Sequence, residues 1–197
     1  MKRLNIIGAS GHGKVVAYIA ALNGYEDIVF LDDDESKKKC WKYDVIGKSK
    51  EAPEGEIFVA VGNQKIREEL MEHYKDRSFP TLVHPSAVVA EGVEVGSGTV
   101  IMAGAVINPE TRIGRGVIIN TSSSVDHDCV VEDYVHISVG AHLSGTVSIG
   151  KGTWIGAGAT VINNVSICSG CLIGAGAVVV KDIVTPGLYL GVPAQKR

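Results

Sequence analysis

Aromatic residues are scarce in this 197-residue chain: three Phe, two Trp and six Tyr, or 6%. Aromatic rings usually supply much of a core's buried area, so this core must be built mainly from aliphatics. Charge of one sign is lacking as well. Nineteen Lys/Arg against 22 Asp/Glu leave a formal charge of −3, and no basic run is interleaved with aromatics. That excludes the usual footprint of a nucleic-acid partner. No apolar stretch approaches the length of a membrane span. The apolar start from Leu4 to Ile7 breaks at Gly8 to His12 before a signal core can form, so a soluble, cytoplasmic protein is expected. Four cysteines do not make a disulfide framework. Cys168 and Cys171 form a C-x-x-C, but no second pair has zinc-site spacing, and no metal is expected.

What the chain does have is a period of six. From Val83 to Val179 every sixth residue is Val, Ile or Leu. Four residues after each stands a small or β-branched residue: Ala87, Val93, Thr99, Ala105, and so on to Ala177. Neither a helix nor a lone strand has this period; a hexapeptide parallel β-helix does. Each hexad makes one flat face, and three faces close a coil of about eighteen residues. The first-position aliphatic should point inward and the fifth-position residue should fit near a corner. Cys129 and Cys171 hold that fifth position and read as small interior residues. Gly96, Gly114, Gly150, Gly156 and Gly174 directly follow the aliphatic, where a tight turn or positive φ is expected.

Charge density changes along the chain. Residues 1–80 hold 13 Lys/Arg and 14 Asp/Glu, whereas 81–197 hold 6 and 8. Two domains follow, 1–80 and 81–197. The first reads as a small Rossmann-like α/β unit: strands Leu4–Gly8, Ile28–Leu31 and Ile57–Val61, with helices after Gly13 and over Gln64–Tyr74. Ligands bind such sheets at the carboxyl ends of their strands. Three chemically suggestive clusters fall there: Gly8 to Lys14, Asp32–Asp34 and Gly62–Asn63. Backbone N–H groups at a helix N-terminus attract phosphate, and an acidic residue after the second strand can hold sugar hydroxyls. The glycine spacing is G-x-x-G-x-G, which does not meet the dinucleotide fingerprint. A nucleotide-linked ligand fits better than NAD.

Four segments occur together: Gly8-Ala9-Ser10-Gly11-His12-Gly13, Phe30-Leu31-Asp32-Asp33, the unbroken hexads, and Gly191-Val192-Pro193-Ala194. The combination resembles the sugar O-/N-acyltransferase family, which includes bacillosamine-pathway N-acetyltransferases and sialic acid O-acetyltransferases. The resemblance spans essentially the whole chain and implies a left-handed parallel β-helix. It also implies acetyl-CoA as co-substrate, a nucleotide-linked amino sugar as acceptor, and a homotrimer with the cofactor between adjacent β-helices. The segment Asn120 to Cys129 resembles the family's active-site stretch. The resemblance makes His127 the catalytic base and Asp128 its support, although the bacillosamine enzymes carry glutamate on both sides where this chain has Asp126 and Asp128. It places His136, Ala157 and Ala175 on the cofactor, and Gly11, His12, Gly13, Lys14, Asp32, Asp33 and Gly62 on the nucleotide sugar. The chemistry of the residues is compatible: acetyl transfer requires the acceptor to lose a proton, and histidine titrates near neutrality. His127 and His136 lie nine residues apart, half a coil, so they should sit well apart on one subunit. A transferase on UDP-4-amino-4,6-dideoxy-N-acetylglucosamine is the leading expectation. Acetylation of a GDP- or dTDP-linked amino sugar, O-acetylation of a sialic acid, and a non-catalytic sugar-nucleotide-binding module are the alternatives.

Overall fold

The computed structural model describes residues 3–197, which divide into two compact units meeting at His84/Pro85.

The first unit is built on a parallel sheet. Strand β1 (Arg3–Ile7) is central and pairs in parallel with β2 (Asp27–Leu31) on one side and β5 (Glu56–Val59) on the other. Leu4, Ile6 and Ile7 are buried, as a strand covered on both faces requires. Helix α1 (Gly11–Leu22) connects β1 to β2 and buries Val16, Ala17, Ile19 and Ala20. Helix α2 (Gln64–His73) begins at Asn63, whose side chain accepts from the N–H groups of Lys65 and Ile66, a standard N-cap. Sequence reasoning did not find β3 (Lys39–Cys40) and β4 (Tyr43–Gly47), a hairpin that adds to the sheet beside β2. Its strands are short and half exposed, so little hydrophobic signal marks them. Leu82–Val83 forms β6 at the end of this unit.

The second unit is the repeat. Sixteen two-residue strands, β7 (Val88–Val89) to β22 (Val178–Val179), recur every six residues. From β7 to β19 each pairs in parallel with the strand three further on. Val106 opposes Ser124 and Ser124 opposes His142, so the coil is eighteen residues long. Strands β7, β10, β13, β16, β19 and β22 make one face; β8, β11, β14, β17 and β20 make the second. The third runs from β9 to β21 and ends with β23 (Leu188–Leu190) and the antiparallel β24 (Gln195–Lys196). The second residue of each strand is the periodic aliphatic; Ile107, Ile119, Val125, Ile137 and Ile155 are fully buried. The fifth-position Thr side chains and Cys129 are satisfied coil to coil. The Thr111 hydroxyl donates to the Asp126 carbonyl at 2.7 Å and accepts from the Cys129 N–H at 3.2 Å. Cys129 does the same with sulfur, donating to the Ser144 carbonyl and accepting from the Val147 N–H. It is therefore more than a space-filler.

The turns differ from the expectation in one respect. The left-handed residue sits three positions after the aliphatic, not one. It recurs without a break from Gly92 to Gly176, and at Glu110, Ser122, Asp128, Tyr134, Thr146 and Asn164 the position is not glycine. The glycines directly after the aliphatic serve a different need. A Cβ on Gly114 would lie 2.7 Å from the Asp133 nitrogen of the next coil, and one on Gly96 would lie 2.5 Å from the Arg115 nitrogen. Those residues let coils stack; they do not bend the chain.

Two substitutions separate these roles. Gly114→Ala should cost about 1–3 kcal/mol by forcing coils apart. Gly158 has φ +65° and open space around its Cβ, and Asn164 already takes that conformation at the same position of its hexad. Gly158→Asn should therefore cost less than about 1 kcal/mol. Chemical denaturation of both variants checks this; equal losses would refute the distinction.

Candidate active site

The clearest constellation lies at the corner after β13 (Ser124–Val125). The turn residue Asp128 has φ +58°, a conformation Asp tolerates better than most side chains. Its carboxylate accepts from His127 Nδ1 at 2.7 Å. That leaves Nε2 as the nitrogen free to accept a proton from outside. The ring is more than half exposed, at 57% of its side-chain surface. The hydrogen bond to Asp128 raises the imidazole pKa above its usual value, partial desolvation opposes this, and the charge of Asp126 adds to it. Asp126 plays a separate part. Its Oδ1 accepts from Asn108 Nδ2 at 2.6 Å and from the His127 backbone N–H at 2.9 Å. These bonds hold its own pKa down, so it braces the turn while Asp128 holds the ring. On the next coil, a Cβ at Gly145 would lie 2.5 Å from His127 Cε1. The imidazole thus lies against a glycine, which nothing larger could replace without displacing it.

His136 is on β15 (His136–Ile137), which belongs to a different face of the helix from β13. The Asn120 side chain lies 3.1 Å from His136 Nε2, and its oxygen accepts from the Thr121 N–H at 2.8 Å. The amide NH₂ therefore points at the ring, and Nε2 acts as acceptor. Trp154 stacks on His136 with centroids 5.1 Å apart and planes at 15°. Ala157 and Ala175 are exposed at one corner, one coil apart, joined by Gly176 N–H to the Ala157 carbonyl at 2.8 Å. Val139 continues this smooth column, with the Gly158 N–H donating to its carbonyl at 3.0 Å. One chain does not bring His127 and His136 together on a single face.

In the first unit, a crevice of about 180 Å³ opens at the carboxyl ends of β1 and β2. It is lined by Gly8, Asp32, Asp33, Ser49, Val61 and Ile66. Both aspartates are already engaged. Asp32 accepts from the N–H groups of Ala9 and Asp34 at 2.8 and 3.0 Å, and from the Lys37 ammonium at 2.9 Å. Burial pushes its pKa up, but these three donors outweigh burial and hold it below the usual carboxylate range. Asp33 accepts from the Ser49 N–H and hydroxyl at 2.9 and 2.8 Å. Gly13 must be glycine because a Cβ there would meet the Gly8 carbonyl at 2.1 Å; Gly11 and Gly62 have open space beside them. His12 is held neutral, its pKa lowered to about 4 by burial and then by Arg67, and its Nε2 is buried without a partner. Arg67 donates to the carbonyls of Val61 and Gly62 at 2.8 and 3.1 Å. Lys14 does not line the crevice; it borders a separate apolar cleft with Val15, Tyr18 and Trp41.

Comparison with known proteins places this architecture. The PglD N-terminal domain family matches residues 3–74, and the bacterial transferase hexapeptide (six repeats) family matches residues 146–181. The acetyltransferase domain of PglB from Neisseria gonorrhoeae FA1090, solved with acetyl coenzyme A, is 43% identical, with a TM-score of 0.95 over 100% of this chain and 99% of that one. The chain belongs to the PglD-type hexapeptide acetyltransferase family. PerB from Caulobacter crescentus, solved with CoA and GDP-perosamine, is 35% identical over 100% of this chain and 98% of that one, with a TM-score of 0.94. UDP-N-acetylbacillosamine N-acetyltransferase of Bacillus subtilis (strain 168) is 38% identical over 114 residues, 52% of this chain and 52% of that protein. The match thus spans about half the length of that curated relative. The left-handed parallel β-helix and the α/β domain before it are those of this acetyltransferase family. Among the described residues, no helix is long and apolar enough to cross a membrane, and no three or more His, Cys, Asp or Glu side chains converge on a possible metal site.

Sequence reasoning missed Asn108, Gly145, Asn120 as the partner of His136, and Trp154. Three of them become visible once the eighteen-residue coil is used as a ruler, since Asn108 and Asp126, His127 and Gly145, and His136 and Trp154 are eighteen apart; Asn120 stands sixteen residues before His136 and escapes that ruler.

The Asp128 contact can be tested without any substrate. In Asp128→Asn the raised pKa of His127 should fall toward about 6.5, the free-histidine value. An NMR titration of the ring protons reads this directly; an unchanged midpoint would assign the shift to Asp126.

Proposed function

We propose that this chain transfers an acetyl group from acetyl-CoA to the amine of a nucleotide-linked amino sugar, with His127 as the general base. The observation that carries this reading is the His127–Asp128 pair, with Nε2 open at a β-helix corner, in a chain of this acetyltransferase family. The acceptor attacks the thioester as its amine proton passes to His127 Nε2. Asp128 holds the ring in the Nδ1–H tautomer and offsets the charge that develops on it. Collapse of the tetrahedral intermediate forms the amide and releases the CoA thiolate, which takes up the proton. The oxyanion needs a donor from backbone or side chain. The Asn120 amide is committed to His136, so a backbone N–H in a glycine-bearing turn is the better source.

The first unit would take the nucleotide. Open first-turn N–H groups of α1 at Gly11 and His12 suit a pyrophosphate; Ser10 makes no side-chain cap there. Asp32 and Asp33 would shape the crevice, with their remaining lone pairs toward the ligand, and Gly62 would follow Val61 at its edge; Lys14, on the separate cleft, is not part of this reading. The pantetheine arm would run along the smooth corner of Ala157 and Ala175, next to His136. His127 and His136 lie on separate faces of one chain, which supports a homotrimer in which one subunit supplies the base and its neighbour the cofactor edge. The preferred acceptor is UDP-4-amino-4,6-dideoxy-N-acetylglucosamine, by likeness to the bacillosamine enzyme. The relative solved with GDP-perosamine supports a GDP-linked 4-amino sugar as the second reading.

Free-thiol release from acetyl-CoA should appear with one of the UDP-, GDP- or dTDP-linked 4-amino sugars. His127→Ala should lose about 10²–10⁴-fold in rate. Because the pKa of His127 is raised, the neutral base is depleted as pH falls through that value. The acid limb of the rate profile should therefore lie above about pH 6.5 and move lower in Asp128→Asn. Full activity in His127→Ala would overturn the assignment of the base.

A further inference from the structure

Cys168 and Cys171 take no part in the proposed chemistry, yet their geometry is specific. Cys168, Ser169, Gly170 and Cys171 make one corner turn, with Gly170 at φ +71°. The cysteines are the first and fourth residues of that turn, which holds their Cα atoms within about 7 Å. Their sulfurs already lie 3.6 Å apart. A disulfide forms from Cα separations of about 4.4–6.8 Å and needs a sulfur–sulfur distance of about 2.05 Å, so closure requires sulfur movement, not backbone rearrangement. The two thiols are unequal. Cys168 is half exposed and lines a 460 Å³ groove with Ser148, Ser166, Ser169 and Ile183. Cys171 is 2% exposed and occupies the inward fifth position of its hexad.

We infer that Cys168 and Cys171 form a reversible dithiol/disulfide site, in which a hydroperoxide entering the groove oxidises Cys168 and Cys171 resolves it. The Cys168 thiolate attacks the O–O bond, giving a sulfenic acid and an alcohol, or water where the oxidant is hydrogen peroxide. The Cys171 sulfur then displaces the sulfenic oxygen, which leaves as water with the Cys171 proton. The two thiols lose two electrons and two protons, and the peroxide bond is reduced. Burial and the adjacent Cys168 push the Cys171 thiol up to about 12, consistent with Cys171 as the second, resolving partner rather than the first nucleophile. A structural staple is a poor alternative, because a four-residue loop restrains the unfolded chain least. A disulfide here would also sit one coil from Thr153, whose hydroxyl donates to the Cys168 carbonyl and accepts from the Cys171 N–H. The Cys171 carbonyl accepts from the Trp154 N–H.

The test uses the full chain, reduced and then exposed to graded hydrogen peroxide. Thiol titration after denaturation should fall from four to two per chain, with peptide mapping placing the bond between Cys168 and Cys171, and dithiothreitol should restore all four. Cys168→Ser and Cys171→Ala should each abolish the reversible loss. Ala already fills the fifth position at Ala141, Ala159 and Ala177, so Cys171→Ala should fold; circular dichroism of both variants checks this. Irreversible over-oxidation of Cys168 without a bond, a bond between chains, or the same reversible loss in either variant would overturn the proposal.

Discussion

Everything in the second unit depends on the parallel ladder that joins each residue to the one eighteen further on. Two-residue strands are far too short to be stable alone. They persist because each is hydrogen-bonded to the coil before and the coil after, while its aliphatic partner fills the prism. That ladder can close only if the chain turns sharply every six residues, and the turn is made by a left-handed residue at one fixed position. Where that residue is glycine the turn is easy. Where it is not, the chain accepts a cost of up to about 1–2 kcal/mol for placing a side chain at a corner, least where that residue is Asn or Asp.

Asp128 is one of those non-glycine corners, and there the architectural demand coincides with the proposed chemistry. The left-handed backbone turns its carboxylate back onto the preceding imidazole. The neighbouring aspartate, facing outward from the end of the strand, is instead braced by Asn108 from the coil before. Two carboxylates flank one histidine, and the backbone alone assigns them different duties. The glycine at 145 completes the arrangement by leaving room for the ring on the coil after. Because the repeat is quasi one-dimensional, such a site is assembled from columns of outward side chains spaced by one coil.

The α/β unit follows a different logic. Its two prominent aspartates act first as internal braces, Asp32 for the glycine loop and Asp33 for the Ser49 segment. A carboxylate that is already satisfied by backbone donors stays ionised and fixed in place, which suits a crevice wall. The buried, neutral His12 also keeps an open Nε2.

The sequence by itself determined the β-helix, its coil length, the inward aliphatics and the interior cysteines, because a six-residue period has one physical solution. It also marked His127 and its flanking aspartates, since a histidine between carboxylates at an outward position is visible in one dimension. It misplaced the left-handed corner, because glycine occurs at two positions of the hexad and only one of them bends the chain. It missed the Lys39–Gly47 hairpin, whose half-exposed strands carry little pattern. Which aspartate reaches the imidazole, which amide meets His136, what lies beneath the His127 ring, and that two cysteines approach within 3.6 Å were decided only by the tertiary structure. Each is a contact set by corner geometry or by stacking across eighteen residues, and neither is encoded in the identity of the residues that meet.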